Sequence, residues 1–253
     1  IIFQGLIIIV FLSIILNIFF PINDYISILI IIIGLFLYLL NFFKINKKKS
    51  EIIFILFVFI LSTIFSLYAG INDDFDYHLK TINNFKNHNL FEIAHGRRIS
   101  YNSHWLFLHS VFSLNFLTSS LFVLGSIIYS TAIYDTYFLY KKSYKEEKFI
   151  LSVVSFFILI FYLGIINKYK DFGTDVPGVI ISFYVLLIIV HEIFHSKNIS
   201  KHILTYLALL TSFAVIIKIT NILLFILLPL LILNSNLVKI SIKYIYLPLM
   251  LIS

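Results

Sequence analysis

Long apolar runs follow one another along the whole sequence and constrain the fold more than any other feature. They cover residues 3–20, 25–43, 52–70, 117–140, 149–166, 175–195, 203–217, 220–234 and 244–253. A helix of about 20 apolar residues crosses the roughly 30 Å hydrocarbon layer of a bilayer. Lipid admits only helices or closed barrels, and these continuous runs do not alternate as barrel strands do. The sequence therefore predicts an all-α, polytopic membrane bundle of about nine spans.

Composition excludes a soluble globular domain, because 60% of the 253 residues are hydrophobic and only 12% are charged. The sequence has no Cys, which excludes disulfides, thiol nucleophiles and Cys-ligated metals. We expect a carboxy-terminally incomplete fragment, since the sequence begins at Ile1 and stops at Ser253 inside an apolar run. A single transmembrane domain is expected over 1–253, with a helical hairpin at 1–51 and a truncated last span at 235–253.

Lysine clusters between the spans predict the orientation of the chain. They lie in alternate short loops, at Lys44, Lys47, Lys48, Lys49, Lys141, Lys142, Lys145, Lys148, Lys197, Lys201, Lys239 and Lys243. Cytoplasmic loops are enriched in Lys and Arg, so these loops are expected in the cytoplasm. The 71–104 loop, the start of the sixth span and Lys218 then face outward. The net charge of +7 follows from this topology, and we expect no nucleic-acid partner.

The 71–104 loop contains most of the unusual chemistry. Three Asp residues fall within positions 73–76, ahead of a stretch in which Leu79, Ile82 and Phe85 recur at helical spacing. This spacing predicts an amphipathic helix lying in the membrane interface, with Lys80, Asn83, Asn84 and Lys86 on its polar side. Carboxylates at the start of a helix can cap it or act as a base, and composition alone leaves both roles open.

Five short polar motifs occur in a fixed order on the predicted outer face. They are Asp73-x-x-x-Tyr77-His78-Leu79, His95-Gly96-Arg97, Tyr101-Asn102-Ser103-x-Trp105, Thr174-Asp175-Val176-Pro177 and Lys218-Ile219-Thr220-Asn221. Together they resemble bacterial multi-spanning membrane proteins related to the GT-C glycosyltransferases, which use polyprenyl-phosphate-linked sugars. The resemblance covers about 70–234. It implies a GT-C-like module over 52–234 with an outer loop at 71–104.

The resemblance implies transfer of a sugar from a polyprenyl-phosphate donor to an acceptor on the outer face of a bacterial cytoplasmic membrane. It identifies Asp73 as the base, with Asp74 and Asp76 as rivals, because the family's usual pattern has one Asp or an Asp-Glu pair. The expected substrate-binding residues are Tyr77, His78, His95, Arg97, Arg98, Tyr101, Asn102, Trp105, Asp175 and Lys218. The expected partners are the lipid-linked sugar and membrane lipid. No cofactor is implied, and the role of a divalent metal stays open.

Such a transfer needs residue types that this chain supplies. An ionised carboxylate must take the proton of the acceptor hydroxyl, and fixed cations must stabilise the departing lipid phosphate. Arg97 and Arg98 offer forked donors for phosphate, and Lys218 offers a point charge. Each residue also has a plainer role: the two Arg can contact lipid headgroups, and Lys218 can mark a turn. Asp175 can cap a helix, while Tyr101 and Trp105 can anchor the chain in the interface.

The sequence also contains features of two other classes of function. His191-Glu192-Ile193-Phe194-His195 matches the HExxH pattern of zinc metallopeptidases, with His191, Glu192 and His195 as the metal-site residues. No Asp or Glu follows Glu192 as a third ligand, and polar residues at a cytoplasmic span end explain the motif more simply. A transporter or flippase would place charges inside the spans, which are nearly free of them. Asp135 is the exception, and it lies toward the cytoplasmic end, where Lys141 or Lys142 is within reach; the sequence leaves its partner open.

Overall fold

A computed structural model describes residues 2–44, 49–67, 75–93, 104–117, 122–166, 175–195 and 200–228. Over these residues the chain forms ten α-helices and one 3₁₀ helix. The helices are α1 Ile2–Phe19, α2 Asp24–Lys44, α3 Lys49–Leu67, α4 Phe75–Asn87, α5 Leu90–Ile93, α6 His104–Phe112, α7 Val123–Lys145, α8 Phe149–Gly164, α9 Asp175–His195, α10 Lys201–Ile217 and the 3₁₀ helix Ile219–Ile226. Within these ranges the only extended pairing is an isolated bridge between Leu114 and Leu117. The all-α prediction is confirmed.

Seven of the α-helices coincide with apolar runs, whereas α4, α5 and α6 lie between the runs at 52–70 and 117–140, where only α4 was predicted. In the run at 117–140 helix α7 begins at Val123, and the run at 220–234 begins as a 3₁₀ helix instead of an α-helix. The run at 244–253 lies outside the described residues. Among the residues described, the helices that are long and apolar enough to cross a membrane are Ile2–Phe19 and Asp175–Phe194. The count of about nine spans therefore stays a prediction.

The chain divides into two compact units. Unit 1 comprises residues 1–130 and 168–173, and unit 2 comprises residues 131–167 and 174–253. In unit 1, α6 packs against α1, α2 and α4. The predicted amphipathic helix is confirmed as α4: Ile82 and Phe85 are buried, and the Phe85 ring stacks on Phe107 of α6 with 3.8 Å between the ring centroids. The apolar face of α4 therefore contacts protein.

Unit 2 is built around α9, which packs against α8, α10 and the 3₁₀ helix. The Ser200 hydroxyl caps α10 by accepting a 3.3 Å hydrogen bond from the Ile203 amide. Because only 196–200 separate α9 from α10, α10 runs back along α9, and its last residues lie beside the first turn of α9. Tyr162 of α8 is fully buried and donates a 3.0 Å hydrogen bond to the Ile180 carbonyl of α9. This arrangement brings together residues that are far apart in the sequence.

Candidate functional site

Two stretches of the 71–104 loop, 71–74 and 94–103, lie outside the described residues. This applies to Asp73, Asp74, His95, Arg97, Arg98, Tyr101 and Asn102. Asp76 and Tyr77 lie in the first turn of α4, but their side chains are outside the description. The choice of Asp73 as the base therefore stays a prediction.

Two predicted substrate-binding residues of this region are described, and both belong to unit 1. His78 is partly buried in α4. Trp105 lies in α6 and is only 1% exposed, with its ring edge-on to His109 at 4.7 Å between the centroids. Edge-to-face contact is a favourable arrangement for aromatic rings. Trp105 is therefore a core residue of unit 1 and is not an exposed anchor at a membrane surface.

The structure brings Asp175 and Lys218, predicted from separate motifs, into direct contact. Asp175 is the first residue of α9, and Lys218 follows the last residue of α10. The ammonium nitrogen of Lys218 donates a hydrogen bond of 2.6 Å to Oδ1 of Asp175. The Asp175 side chain is 75% exposed and that of Lys218 is 31% exposed. A cation and a carboxylate therefore lie together at one end of the α9–α10 pair, open to the surroundings.

Asn221 fixes the backbone that carries this pair. Its Nδ2 donates to the Ala214 carbonyl at 2.9 Å and to the Gly178 carbonyl at 3.3 Å, which joins the end of α10 to the first turn of α9. The backbone of Lys218 itself is extended (φ −144°, ψ 117°), so the helical conformation is interrupted here, between α10 and the 3₁₀ helix. We call this interruption the break after α10. The resemblance included Asn221 in a motif, but its role as a bridge was not predicted.

Gly178 permits the close approach of α9 to this break. A Cβ atom at Gly178 would lie 3.2 Å from both Nδ2 of Asn221 and Cβ of Lys218. Small residues at a helix interface let backbones approach closely. Gly178 thus belongs to the same cluster, which we call the α9–α10 end cluster: Asp175, Gly178, Lys218 and Asn221.

Sequence reasoning missed a buried ion pair in unit 1. The amphipathic pattern places Lys86 on the polar side of α4, but its side chain is 3% exposed. Its ammonium group donates to Oδ1 of Asp24 and, at 2.6 Å, to the Ser113 carbonyl. The other oxygen of Asp24 accepts a 3.1 Å hydrogen bond from the Asn115 amide. The pair links α2, α4 and the residues that follow α6.

The end of α4 is held by the turn between α1 and α2. Nδ2 of Asn17 donates to the carbonyls of Phe20, Phe85 and His88 at 3.2, 3.4 and 3.2 Å, and the Ile22 amide donates to the Phe85 carbonyl at 2.9 Å. Helix ends leave carbonyls without intrahelical partners, and buried carbonyls need a donor. The amino-terminal residues therefore hold α4, which lies inside the 71–104 loop.

The sequence leaves the partner of Asp135 open, and the structure supplies one. Neither Lys141 nor Lys142 pairs with it; the hydroxyl of Tyr184 in α9 donates to its carboxylate at 2.7 Å. In the HExxH motif, Nδ1 of His191 lies 3.2 Å from Oε1 of Glu192, and the His195 side chain is outside the description. Among the described residues, no group of three His, Asp or Glu side chains could hold a metal.

A family model described as a domain of unknown function, DUF8201, matches residues 1–253. The chain belongs to the DUF8201 family. No protein of curated function and no solved structure matches it. Any function of this DUF8201 chain must therefore be argued from its residues and their geometry.

Proposed function

We propose that this DUF8201 protein is a multi-pass membrane glycosyltransferase of GT-C-like architecture. It transfers a sugar from a polyprenyl-phosphate-linked donor to an acceptor on the outer face of the bacterial cytoplasmic membrane. The observation that carries the proposal is the 2.6 Å contact between Lys218 and Asp175. These residues come from two of the motifs on which the resemblance rests, and their meeting supports a common site at the α9–α10 end cluster.

The surface of the helices supports a membrane location. Residues 31–37 of α2 are all exposed, and they include Ile31, Ile33 and Phe36, which point to different sides of the helix. An apolar surface of this extent in water would be an aggregation liability, whereas lipid covers it at no cost. Together with the two candidate spans, this supports the proposed polytopic bundle of about nine spans.

The α9–α10 end cluster suits a phosphate leaving group. An ammonium group has three N–H donors, and Asp175 accepts from the Lys218 ammonium through one oxygen. A lipid phosphate that approaches the 31%-exposed Lys218 therefore meets a fixed cation at the N-terminus of α9, where the helix dipole also favours negative charge. Such preorganised positive charge stabilises the charge that develops on a departing phosphate.

The proposed base is Asp73, which would take the proton of the acceptor hydroxyl as that oxygen attacks the anomeric carbon. General-base contributions are typically about 10²–10⁴-fold, so Asp73→Asn should lower transfer by that order while donor binding is retained. If Asp74 and Asp76 only cap α4, Asp74→Asn and Asp76→Asn should lose much less transfer activity. A cap contributes about 0.5–2 kcal/mol of stability and takes part in no catalytic step. Loss of transfer in one of these two variants, with normal transfer by Asp73→Asn, would identify that residue as the base instead of Asp73.

The proposal is tested by measuring sugar transfer from radiolabelled polyprenyl-phosphate donors in membranes that contain equal amounts of each variant. Lys218→Gln should lower transfer by about 10-fold or more and raise the KM for the donor, because it removes the phosphate-binding cation. The matched control is Lys148→Gln, which removes another lysine that pairs with a nearby carboxylate, Glu146, at 3.0 Å. Equal transfer by the two lysine variants would overturn the role of Lys218. Normal transfer in all three Asp variants would remove the 71–104 loop from the chemistry.

A further inference from the structure

Positive charge is concentrated where α7 turns into α8. Four lysines fall within residues 141–148, at Lys141, Lys142, Lys145 and Lys148. Two acidic residues, Glu146 and Glu147, accompany them, so this segment has a net charge of +2. Glu146 is paired with Lys148 at 3.0 Å, whereas Lys141 and Lys145 extend from the exposed side of α7. We call residues 141–148 the basic turn of unit 2.

The end of α7 presents tyrosine rings and lysine ammonium groups on one face. Its exposed residues at helical spacing (i, i+4, i+7 and i+8) are Tyr137, Lys141, Tyr144 and Lys145. Tyr144 is 70% exposed. Tyrosine and lysine both combine an apolar body with a polar tip, and such side chains are enriched where a membrane meets water. This face therefore has the composition of a surface at the level of lipid headgroups.

Exposed apolar side chains adjoin the basic turn. Helix α8 begins with Phe149 and Ile150, which are 79% and 53% exposed, and Phe157 two turns later is also exposed. A basic surface for a water-soluble partner, such as a nucleic acid, gains nothing from bare apolar residues beside it, and in water they promote aggregation. Acyl chains cover such residues. The combination of lysines with exposed phenylalanines therefore favours a lipid as the partner.

Contacts within unit 2 hold the basic turn in place. The Lys148 amide donates a 2.9 Å hydrogen bond to the Ser143 carbonyl, and the hydroxyl oxygens of Ser143 and Ser152 lie 3.1 Å apart. The rings of Tyr140 in α7 and Phe156 in α8 pack with 5.8 Å between their centroids. A surface that is ordered before its ligand arrives loses less conformational freedom on binding. The backbone of the basic turn is in this sense preorganised.

We propose that the basic turn and the exposed face of α7 before it bind the headgroup of an anionic phospholipid. The ammonium groups of Lys141 and Lys145 bind the negatively charged headgroup. Tyr137 and Tyr144 lie at the headgroup level, and Phe149 contacts the acyl chains. Clusters of lysines next to membrane helices are attracted to anionic lipids in this way. The surface is separate from the α9–α10 end cluster, and its function does not depend on glycosyl transfer.

The test measures retention of radiolabelled phosphatidylglycerol by the purified, immobilised protein in micelles of a nonionic detergent. Unlabelled phosphatidylglycerol, which carries one net negative charge, should displace the label. Phosphatidylcholine with the same acyl chains has no net charge and should be at least about 10-fold less effective, because it gains little from the lysines. Inorganic phosphate at the same concentration should not displace the label, because it has no acyl chains. High salt should weaken retention, since it screens exposed charges.

Single substitutions assign the binding to the basic turn. Lys141→Gln and Lys145→Gln should each weaken retention by about 5-fold, as expected for one lysine near an anionic surface. Glu147→Gln should strengthen retention, because it removes an exposed carboxylate from the same segment. The matched control is Lys80→Gln, which removes an exposed lysine from α4 in unit 1 and should retain the lipid as the unchanged protein does.

Several outcomes would overturn the proposal. Equal displacement by the two phospholipids would show that the headgroup charge is not recognised. Full retention by both Lys141→Gln and Lys145→Gln, or an equal loss in Lys80→Gln, would show that the basic turn is not the binding surface. Displacement by inorganic phosphate would replace the lipid by a free anion, and displacement by an oligonucleotide at a lower concentration than phosphatidylglycerol would replace it by nucleic acid. A gain in Glu147→Gln cannot result from misfolding, so it keeps the test decisive if a lysine variant is unstable.

Discussion

Lys218 donates a 2.6 Å hydrogen bond to the carboxylate of Asp175, which precedes it by 43 residues in the sequence. The two side chains are 31% and 75% exposed, so solvent screens their attraction. Exposed ion pairs contribute about 0–1 kcal/mol to stability. A stabilising role therefore explains poorly why a lysine lies between α10 and the 3₁₀ helix. Binding of an anion explains it better.

This distinction can be measured with a double-mutant cycle. Lys218→Gln, Asp175→Asn and the double variant should reveal a coupling energy below about 1 kcal/mol in thermal or denaturant unfolding. Sugar transfer by the Lys218→Gln variant should nevertheless fall as proposed above. A coupling energy of several kcal/mol would instead identify the pair as a structural element of unit 2.

Gly178→Ala should destabilise the α9–α10 end cluster. The new methyl group would lie 3.2 Å from Nδ2 of Asn221, which already bridges the Gly178 and Ala214 carbonyls. Such overpacking costs about 1–3 kcal/mol and should shift Asn221 away from these carbonyls. Unfolding measurements on purified protein give the size of the effect.

Gly34→Ala is the matched control for this substitution. Gly34 also lies inside a helix, α2, but a Cβ atom there would meet nothing within 4 Å. Alanine favours a helix over glycine by about 1 kcal/mol, so this change should be neutral or stabilising. If both variants lose the same stability, the loss does not come from the contact with Asn221.

The buried pair in unit 1 should respond unequally to loss of its two members. Asp24→Asn leaves the charged Lys86, only 3% exposed, without a counter-charge, whereas Lys86→Met leaves Asp24, which is 22% exposed and still accepts from the Asn115 amide. Breaking a buried pair costs about 3–5 kcal/mol, so Asp24→Asn should reach this range and Lys86→Met should cost less. Lys80→Met, at an exposed position on the same helix, should change stability by less than about 0.5 kcal/mol. A larger loss of stability for Lys86→Met than for Asp24→Asn would contradict the burial of the lysine.

Helix positions could be predicted because apolar runs are a local property of the sequence. Contacts between residues that are far apart in the sequence leave no such local pattern, and this explains why the contacts of Lys86 and Asp135 were not predicted. The amphipathic pattern of α4 assigns Lys86 to the polar side because its neighbours Asn83 and Asn84 are polar. In the structure α4 packs against α6, and Lys86 is buried in contact with Asp24 of α2. Likewise, nearby lysines on α7 are the obvious partners of Asp135, but α9 supplies a tyrosine.

The 3₁₀ helix shows the same limit. An apolar stretch after Lys218 predicts an α-helical span, but the bridge that Asn221 makes to Ala214 and Gly178 holds a tighter turn there. The meeting of Asp175 and Lys218, by contrast, agrees with the charge pattern, which places both residues on one side of the membrane. The sequence predicts that the two residues share one side of the membrane, but it does not predict that they contact each other.

The orientation of the chain is the prediction on which the proposed chemistry depends most. The natural sequence has no Cys, so single-Cys variants report one position each. Asn84→Cys, on the exposed side of α4, should react with an impermeant thiol reagent on intact spheroplasts. Glu146→Cys, directly after α7 and between Lys145 and Lys148, should react only after lysis. Ser143, in the last turn of α7, is unsuitable because it is 1% exposed and would not react from either side. Labelling in the opposite pattern would place the 71–104 loop and Lys218 in the cytoplasm, and the proposed transfer on the outer face would then be wrong.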